Sequence, residues 1–307
     1  PDTALMTPET LADALERAAR RHPGRTVRAV FPVHMGGNVC EVPALRLLAD
    51  AAGAEIVEDA CHALGTVTPW GKVGACRSSL MSTFSFHPVK TIATGEGGAI
   101  TTNDMRLAKR MRRLRAHGIQ RDPKAFTAAG AFDGAEPNPW WYEQVELGFN
   151  YRLPDVLCAL GLSQLSRLDA FAERRRRLAA LYREELRSLA PVVRTVEPTE
   201  GTTPCPHLFT VLIDFEAAGL TRRECMERLR ARGIGTQVHY IPVHRQPYWR
   251  ARDPELSLPG ADSWHARVLS LPLFPDMADD DPERVADALR EVLALDVRRF
   301  PAAGARP

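Results

Sequence analysis

The chain has 307 residues, 45% of them hydrophobic, enough to bury the core of one large domain or two modest ones. Its 40 Lys plus Arg against 38 Asp plus Glu leave a net charge of +2, which gives no footprint for nucleic acid. Residues 1–307 hold neither a signal-peptide pattern nor an apolar run of membrane-spanning length, and cysteines 40, 61, 76, 158, 205 and 225 show no close pairing, so a cytoplasmic protein with reduced thiols and no membrane partner is expected.

The first element is a helix: Thr7 is a natural N-cap, Pro8 suits the first turn, and Leu11, Ala14, Leu15 and Ala18 recur at helical spacing. From Val27 to Thr102 strand and helix patterns alternate, as in a doubly wound sheet. Residues 29–33 read as a strand, and 43–52 as a helix with Leu45, Leu48 and Ala49 inward and Gly53 as its stop. Ile56, Met81 and Ala99 open further strands. Asp104 then caps a helix that carries Leu107, Met111 and Leu114 on one face and arginines on the other, ending at Gly118.

Residues 118–146 show no periodicity but hold several Gly and Pro and the cluster Trp140, Trp141 and Tyr142. Such a connection reads as an ordered loop whose aromatics either serve a site or pin the loop to the core. Pro154 starts one long helix through Leu157, Leu160, Leu165, Leu168 and Phe171, with a domain boundary near residue 165. Residues 166–307 read as a smaller α+β domain. It comprises a strand at 209–215, a helix capped by the Thr221–Glu224 box and stopped at Gly233, and a strand at 235–243 bearing His239 and Tyr240. A last helix runs through Val285, Ala288, Leu289 and Val292, and residues 301–307 form a frayed tail. His239 and His244 fall on opposite faces of the expected strand with no carboxylate or cysteine beside them in sequence, so no metal is expected.

Chemistry concentrates in two stretches. Only four of the 40 cations are lysines, at 72, 90, 109 and 124, so arginine is the default cation. A position needing charge alone would take arginine, whereas Schiff-base chemistry needs a primary amine able to lose its proton. Lys90 stands just past the strand pattern of residues 81–86 and before the turn containing Gly95, Gly97 and Gly98. Asp59 stands at the end of a strand pattern through Ile56 and Val57, where open α/β sheets place their ligands. A carboxylate there can keep a pyridine nitrogen protonated, or it can simply cap the next segment. No G-x-G-x-x-G follows the first strand, which argues against a nicotinamide site.

The stretches EDACHALG (58–65) and SFHPVKTIATGEGGAITTND (85–104) resemble the aspartate and lysine motifs of the DegT/DnrJ/EryC1/StrS aminotransferase family. HGIQRD, WWYEQVELGFNYRLPD and VHYIPVHRQPYW support the likeness, most closely to its pseudaminic acid branch. The resemblance implies a pyridoxal phosphate (PLP)-dependent transferase of fold type I, the aspartate aminotransferase fold. Its large domain, with a mostly parallel sheet, would span residues 1–165 and a small α+β domain 166–307. Relative to the family, a sizeable N-terminal segment of the large domain is expected to be missing from residues 1–307.

By the same resemblance Lys90 would hold the cofactor, Asp59 would pair with its ring nitrogen, His62 would lie near its hydroxyl and Ser85 would bind its phosphate. Asn150, in GFNYR, would reach the phosphate of the neighbouring subunit, making a homodimer with shared sites. His87, Tyr151, Arg152, His239 and Tyr240 are the implied substrate contacts. The implied reaction moves an amino group from L-glutamate to the 4-keto carbon of a UDP-linked 4-keto-6-deoxy-N-acetylhexosamine. Another nucleotide-linked 3- or 4-keto sugar, or a non-catalytic remnant of the fold, are the alternatives. The family's dehydratase branch carries histidine in place of the lysine, and Lys90 argues against it.

Overall fold

The computed structural model describes residues 1–294; the tail expected at 301–307 lies outside the described residues. The strand Glu55–Asp59 is flanked by two parallel neighbours, Ala29–Val30 and Met81–Ser85, and Gly98–Thr101 closes this four-stranded sheet antiparallel to the last. Parallel neighbours need a crossover rather than a tight turn. The helix Val42–Ala51 supplies it, burying Leu45 and Ala49 against Val30 and Ile56, with Leu11 of the helix Pro8–Arg21 completing the cluster. Thr7 caps that first helix as expected, accepting from the Thr10 amide.

The first strand is shorter than the expected 29–33. Pro32 has no N–H for the ladder, and its carbonyl instead accepts from the Asp59 amide at 2.9 Å; the chain returns to the sheet as a single bridge between Val33 and Asp59. The loop that follows is held by Gly37. At φ +103° this residue is in the region closed to most side chains, and a Cβ there would sit 2.3 Å from the Cys205 carbonyl oxygen. Gly37→Ala is therefore expected to destabilise the fold by about 2 kcal/mol or more, measurable as a lowered denaturant midpoint. An unchanged midpoint would mean that the loop moves freely.

The two-residue period of Glu55–Asp59 sends Ile56 and Glu58 to the buried face and Val57 and Asp59 to the other. A buried carboxylate must be hydrogen-bonded. Glu58 accepts from Ser82 at 2.8 Å and from Ser79, and lies 2.8 Å from Nε2 of the fully buried His34. Burial pushes the Glu58 carboxyl up, but the bonds from His34, Ser79 and Ser82 outweigh it and hold the group below its ordinary range. A carboxyl with a depressed folded pKa contributes stability that is full above its unfolded value and is lost as pH falls through the folded one. Glu58→Ala, which strands the buried His34 and Ser82 and the half-buried Ser79, is expected to cost about 3–5 kcal/mol at neutral pH and to flatten the fall in stability below about pH 4.5, as read from urea titrations across pH.

The second half is built on an antiparallel sheet of Val193–Thr195, Phe209–Ile213 and Val268–Leu271, in that order. The helices Leu168–Leu186, Arg222–Arg230 and Asp281–Val292 bury Leu178, Tyr182, Leu229 and Leu289 with it. The Thr221–Glu224 box forms as expected. Three expectations change. The long helix after Pro154 is two, Asp155–Leu165 and Leu168–Leu186, because the Ser166 hydroxyl takes the Ser163 carbonyl at 2.8 Å and the backbone breaks at Arg167. Residues 235–243 are not a strand: only Gln237 bridges to the sheet, at Ser270, and Pro242 lacks a ladder donor. The strand expected over 209–215 ends at Ile213. In the loop 118–146, Trp140 and Tyr142 are exposed rather than pinned to the core. No described helix is long and apolar enough to cross a membrane.

Candidate active site

The strand Met81–Ser85 ends under a loop closed by three backbone bonds: Phe86 N to Gly97 O at 2.8 Å, Thr94 N to Phe86 O at 2.9 Å, and Lys90 N to His87 O at 2.9 Å. These fold Lys90 back toward the end of the neighbouring strand, where Asp59 lies opposite Thr83 in register. Burial lowers the Lys90 amine below its usual range, opposed by the charges of Cys61 and Asp59. A lysine so placed keeps a larger fraction of its nucleophilic, neutral form. Asp59 serves locally as well, since its Oδ1 accepts from the Cys61 amide at 3.1 Å. Capping and ligand binding are therefore compatible, because the backbone of the turn is held by one carboxylate oxygen, Oδ1, alone.

The turn after Asp59 buries His62, whose Nδ1 accepts from the Gly36 amide at 3.3 Å and whose Nε2 lies 3.5 Å from the Tyr240 hydroxyl. Burial first, then the charge of Lys90, brings the His62 imidazole down to about 4. At neutral pH it is uncharged. His239 bonds through Nδ1 to the Ser270 hydroxyl at 2.7 Å, and its ring packs against Tyr240 at 4.6 Å. Burial and Lys90 lower His239, whereas burial and Asp59 raise the Tyr240 hydroxyl. Asp59, His62, Lys90, His239 and Tyr240 thus share one electrostatic environment.

The remaining expected residues are distributed differently. Ser85 ends its strand, and its hydroxyl accepts from the His87 amide at 3.4 Å. His87 is exposed on the lysine loop, 3.9 Å from Glu96. Asn150, Tyr151 and Arg152 are exposed along a ladder with residues 115–117: Ala116 bridges Asn150, and the Tyr151 amide donates to Arg115 O at 2.9 Å. Tyr151 stacks on Phe149 at 4.8 Å, and Arg152 lines a basic groove of about 770 Å³ with Lys109, Arg112 and Arg121. None of these three bonds to Asp59, His62 or Lys90 among the described residues. His244 meets Asp262 at 3.2 Å, a carboxylate from a distant segment that its own neighbours in sequence could not reveal. Among the described residues no group of three His, Cys, Asp or Glu is placed to hold a metal.

Sequence reasoning missed His207. Its ring lies 4.4 Å from that of His62 and is buried, with Nδ1 bonded to nothing among the described residues. The only trace in sequence is a histidine directly before the apolar run 208–213.

This donor set fits PLP. A partly buried amine of lowered pKa, a carboxylate at a strand end, and a neutral imidazole converge where parallel strands end, suited respectively to the aldehyde, the ring nitrogen and the ring hydroxyl. The comparisons agree. The sequence model of the DegT/DnrJ/EryC1/StrS aminotransferase family matches residues 1–290. The structure of DesV from S. venezuelae is 34% identical with TM-score 0.78, covering 96% of this chain and 71% of that one. DesI, solved in the presence of its TDP-sugar product, is 32% identical with TM-score 0.77, covering 95% and 67%. Helicobacter pylori PseC, an aminotransferase involved in the biosynthesis of pseudoaminic acid, is 26% identical with TM-score 0.79, covering 91% and 70%. With the family model matching nearly the whole chain, the chain belongs to the DegT/DnrJ/EryC1/StrS aminotransferase family, whose members are PLP-dependent sugar aminotransferases.

Proposed function

We propose that the chain moves the amino group of L-glutamate to the 4-keto carbon of a UDP-linked 4-keto-6-deoxy-N-acetylhexosamine, as in pseudaminic acid biosynthesis, in the cytoplasm. The observation that carries the reaction class is the grouping of Lys90, Asp59 and His62 at the ends of two parallel strands. When bound, PLP supplies an electron sink for the electron pair left at the substrate carbon. Asp59 would keep a proton on the ring nitrogen through its carboxylate. Lys90 would hold the cofactor and would carry a proton to and from the reacting carbon, a role its lowered pKa suits. His62 stays neutral and donates from Nε2.

For the sugar, the support is the likeness to PseC together with the stretches HGIQRD and VHYIPVHRQPYW. A second reading, a TDP-linked keto sugar, is favoured by the higher identity to DesI, solved with its TDP-sugar product, 32% against 26% for PseC. Parallel turnover of the UDP- and TDP-linked keto sugars decides between them. A kcat/KM higher for the UDP sugar supports the first reading, and the reverse order the second.

The active unit in this reading is a homodimer in which Asn150 serves the partner's site. The helix Asp155–Leu165 buries none of its residues, and Val156, Leu162 and Leu165 are exposed, as are the nearby Leu147, Phe149 and Tyr151. An apolar run this long is one that a second copy would cover. One amide donor to a phosphate is worth about 1.5–3 kcal/mol, so Asn150→Asp is expected to weaken cofactor affinity by about tenfold to a hundredfold. Mixing Lys90→Ala with Asn150→Asp should restore part of the activity, because the heterodimer places both lesions in one site and leaves the other intact. No recovery despite proven subunit exchange would place Asn150 outside the partner's site.

A further inference from the structure

His62 is held by two residues to which the chemistry above gives no part, Gly36 and His207, and these are in turn fixed by Thr66 and Arg175. Gly36, at φ +67°, turns its amide toward His62 Nδ1, while its carbonyl accepts from the His207 amide at 2.9 Å and the Leu208 amide at 3.3 Å. One peptide segment therefore ties the position of His62 to that of His207. The Thr66 hydroxyl fixes both sides of this tie, donating to Gly37 O at 3.1 Å and accepting from the Cys205 amide at 2.9 Å. From behind, the buried Arg175 guanidinium donates to the carbonyls of Pro206, His207 and Leu273 at 3.3, 3.2 and 3.1 Å. Ring on ring, His207 then lies against His62 at 4.4 Å with an interplanar angle of 50°.

Hydrogen-bond chemistry makes this grip informative. A backbone N–H can only donate, so His62 Nδ1 must be bare, and a neutral imidazole with bare Nδ1 carries its proton on Nε2. That nitrogen is the one on the side of Tyr240, 3.5 Å from its hydroxyl. Rotation of the ring by half a turn about Cβ–Cγ would put Cδ2 in place of Nδ1 against the Gly36 amide and lose that bond, and the His207 ring, tilted against it at 4.4 Å, resists the turn.

We propose that His207 is a positioning residue, which with Gly36 locks His62 as the Nε2–H tautomer so that it presents a hydrogen-bond donor, never an acceptor, to the cofactor site. His207 acts by shape: its own Nδ1 has no partner among the described residues, so an aromatic ring without nitrogen should serve as well. The groups that face His62 are the Lys90 amine, the Asp59 carboxylate, the His239 ring and the Tyr240 hydroxyl, with His207 behind it. None replaces Gly36 as partner to Nδ1. The consequence for turnover rests on the reading of His62 as a cofactor contact, but the lock itself does not.

The test is long-range proton–nitrogen-15 correlation of the imidazole rings in the cofactor-free protein, with His62 assigned by loss of its signals in His62→Asn. Wild type and His207→Phe are expected to show one protonated nitrogen, Nε2, and one bare nitrogen, Nδ1, with no change between about pH 6 and 8. In His207→Ala, with the fold confirmed by circular dichroism, the two signals should move toward an averaged position. A wild-type proton on Nδ1 overturns the proposal without recourse to any variant. So does a His207→Phe protein that loses the single tautomer, or a folded His207→Ala protein that keeps it. Because the readout is taken without cofactor or substrate, a failure of turnover would fall on the functional reading and not on the lock.

Discussion

Replacing Lys90 by alanine is expected to remove sugar amination altogether, a loss of about 10⁴-fold or more in kcat, together with the visible absorbance of the lysine-bound cofactor. No other lysine is a substitute, since Lys72, Lys109 and Lys124 lie on other segments. Stability should move the other way. Burial lowers the Lys90 pKa in the folded state, so the charged amine is unfavourable there. For a lysine with a depressed folded pKa this penalty is present below that pKa and relieved as pH rises through it. The cofactor-free Lys90→Ala protein should therefore melt no lower than wild type at pH 7. Normal turnover in the variant would remove Lys90 from the chemistry, and a large fall in melting temperature would recast it as structural.

The second large effect is expected from Asp59→Asn. Asparagine keeps an oxygen for the Cys61 amide, so the local cap survives and the melting temperature should shift by no more than a few degrees. It has no negative charge with which to keep a ring nitrogen protonated, and kcat should fall by about 10²–10³, the usual scale for losing one preorganised electrostatic contact. Asp59→Ala should lose both the cap and the charge. Equal activity in wild type and Asp59→Asn, with Asp59→Ala unstable, would assign the residue to capping alone.

The placement of both residues at or past strand ends was legible because strand period and motif are local signals. Asp59 follows a buried run and Lys90 a second one, and the sheet register then brings the two strand ends together without help from side chains. The helices capped by Thr7, Asp104 and Thr221 were legible for the same reason, since a cap is written within four residues of the helix it starts. The grip on His62 was not, because Gly36, Thr66, Arg175 and His207 come from separate segments and act largely through backbone groups that every residue possesses. Residues 235–243 misled because β-branched and aromatic side chains imply a strand only where a neighbour offers an edge, and here a single bridge at Gln237 was available. The helix after Pro154 misled because apolar spacing continues across Ser166, whose hydroxyl interrupts the backbone without interrupting the pattern. Asn150 remains on an exposed ladder of its own subunit, where its expected role depends on a second copy.

The central claim is that Lys90 and Asp59 run an amino transfer from glutamate to a nucleotide-linked keto sugar. It is tested most directly by incubating the cofactor-loaded protein with L-glutamate labelled with nitrogen-15 at the α-amino group and the UDP-linked 4-keto sugar, then weighing the sugar product by mass spectrometry. The account predicts one nitrogen-15 in the product, bonded at C4, in wild type, and none in Lys90→Ala. A wild-type protein that binds the cofactor yet delivers no label to the UDP- or TDP-linked keto sugar, or a Lys90→Ala protein that delivers it, would contradict the account.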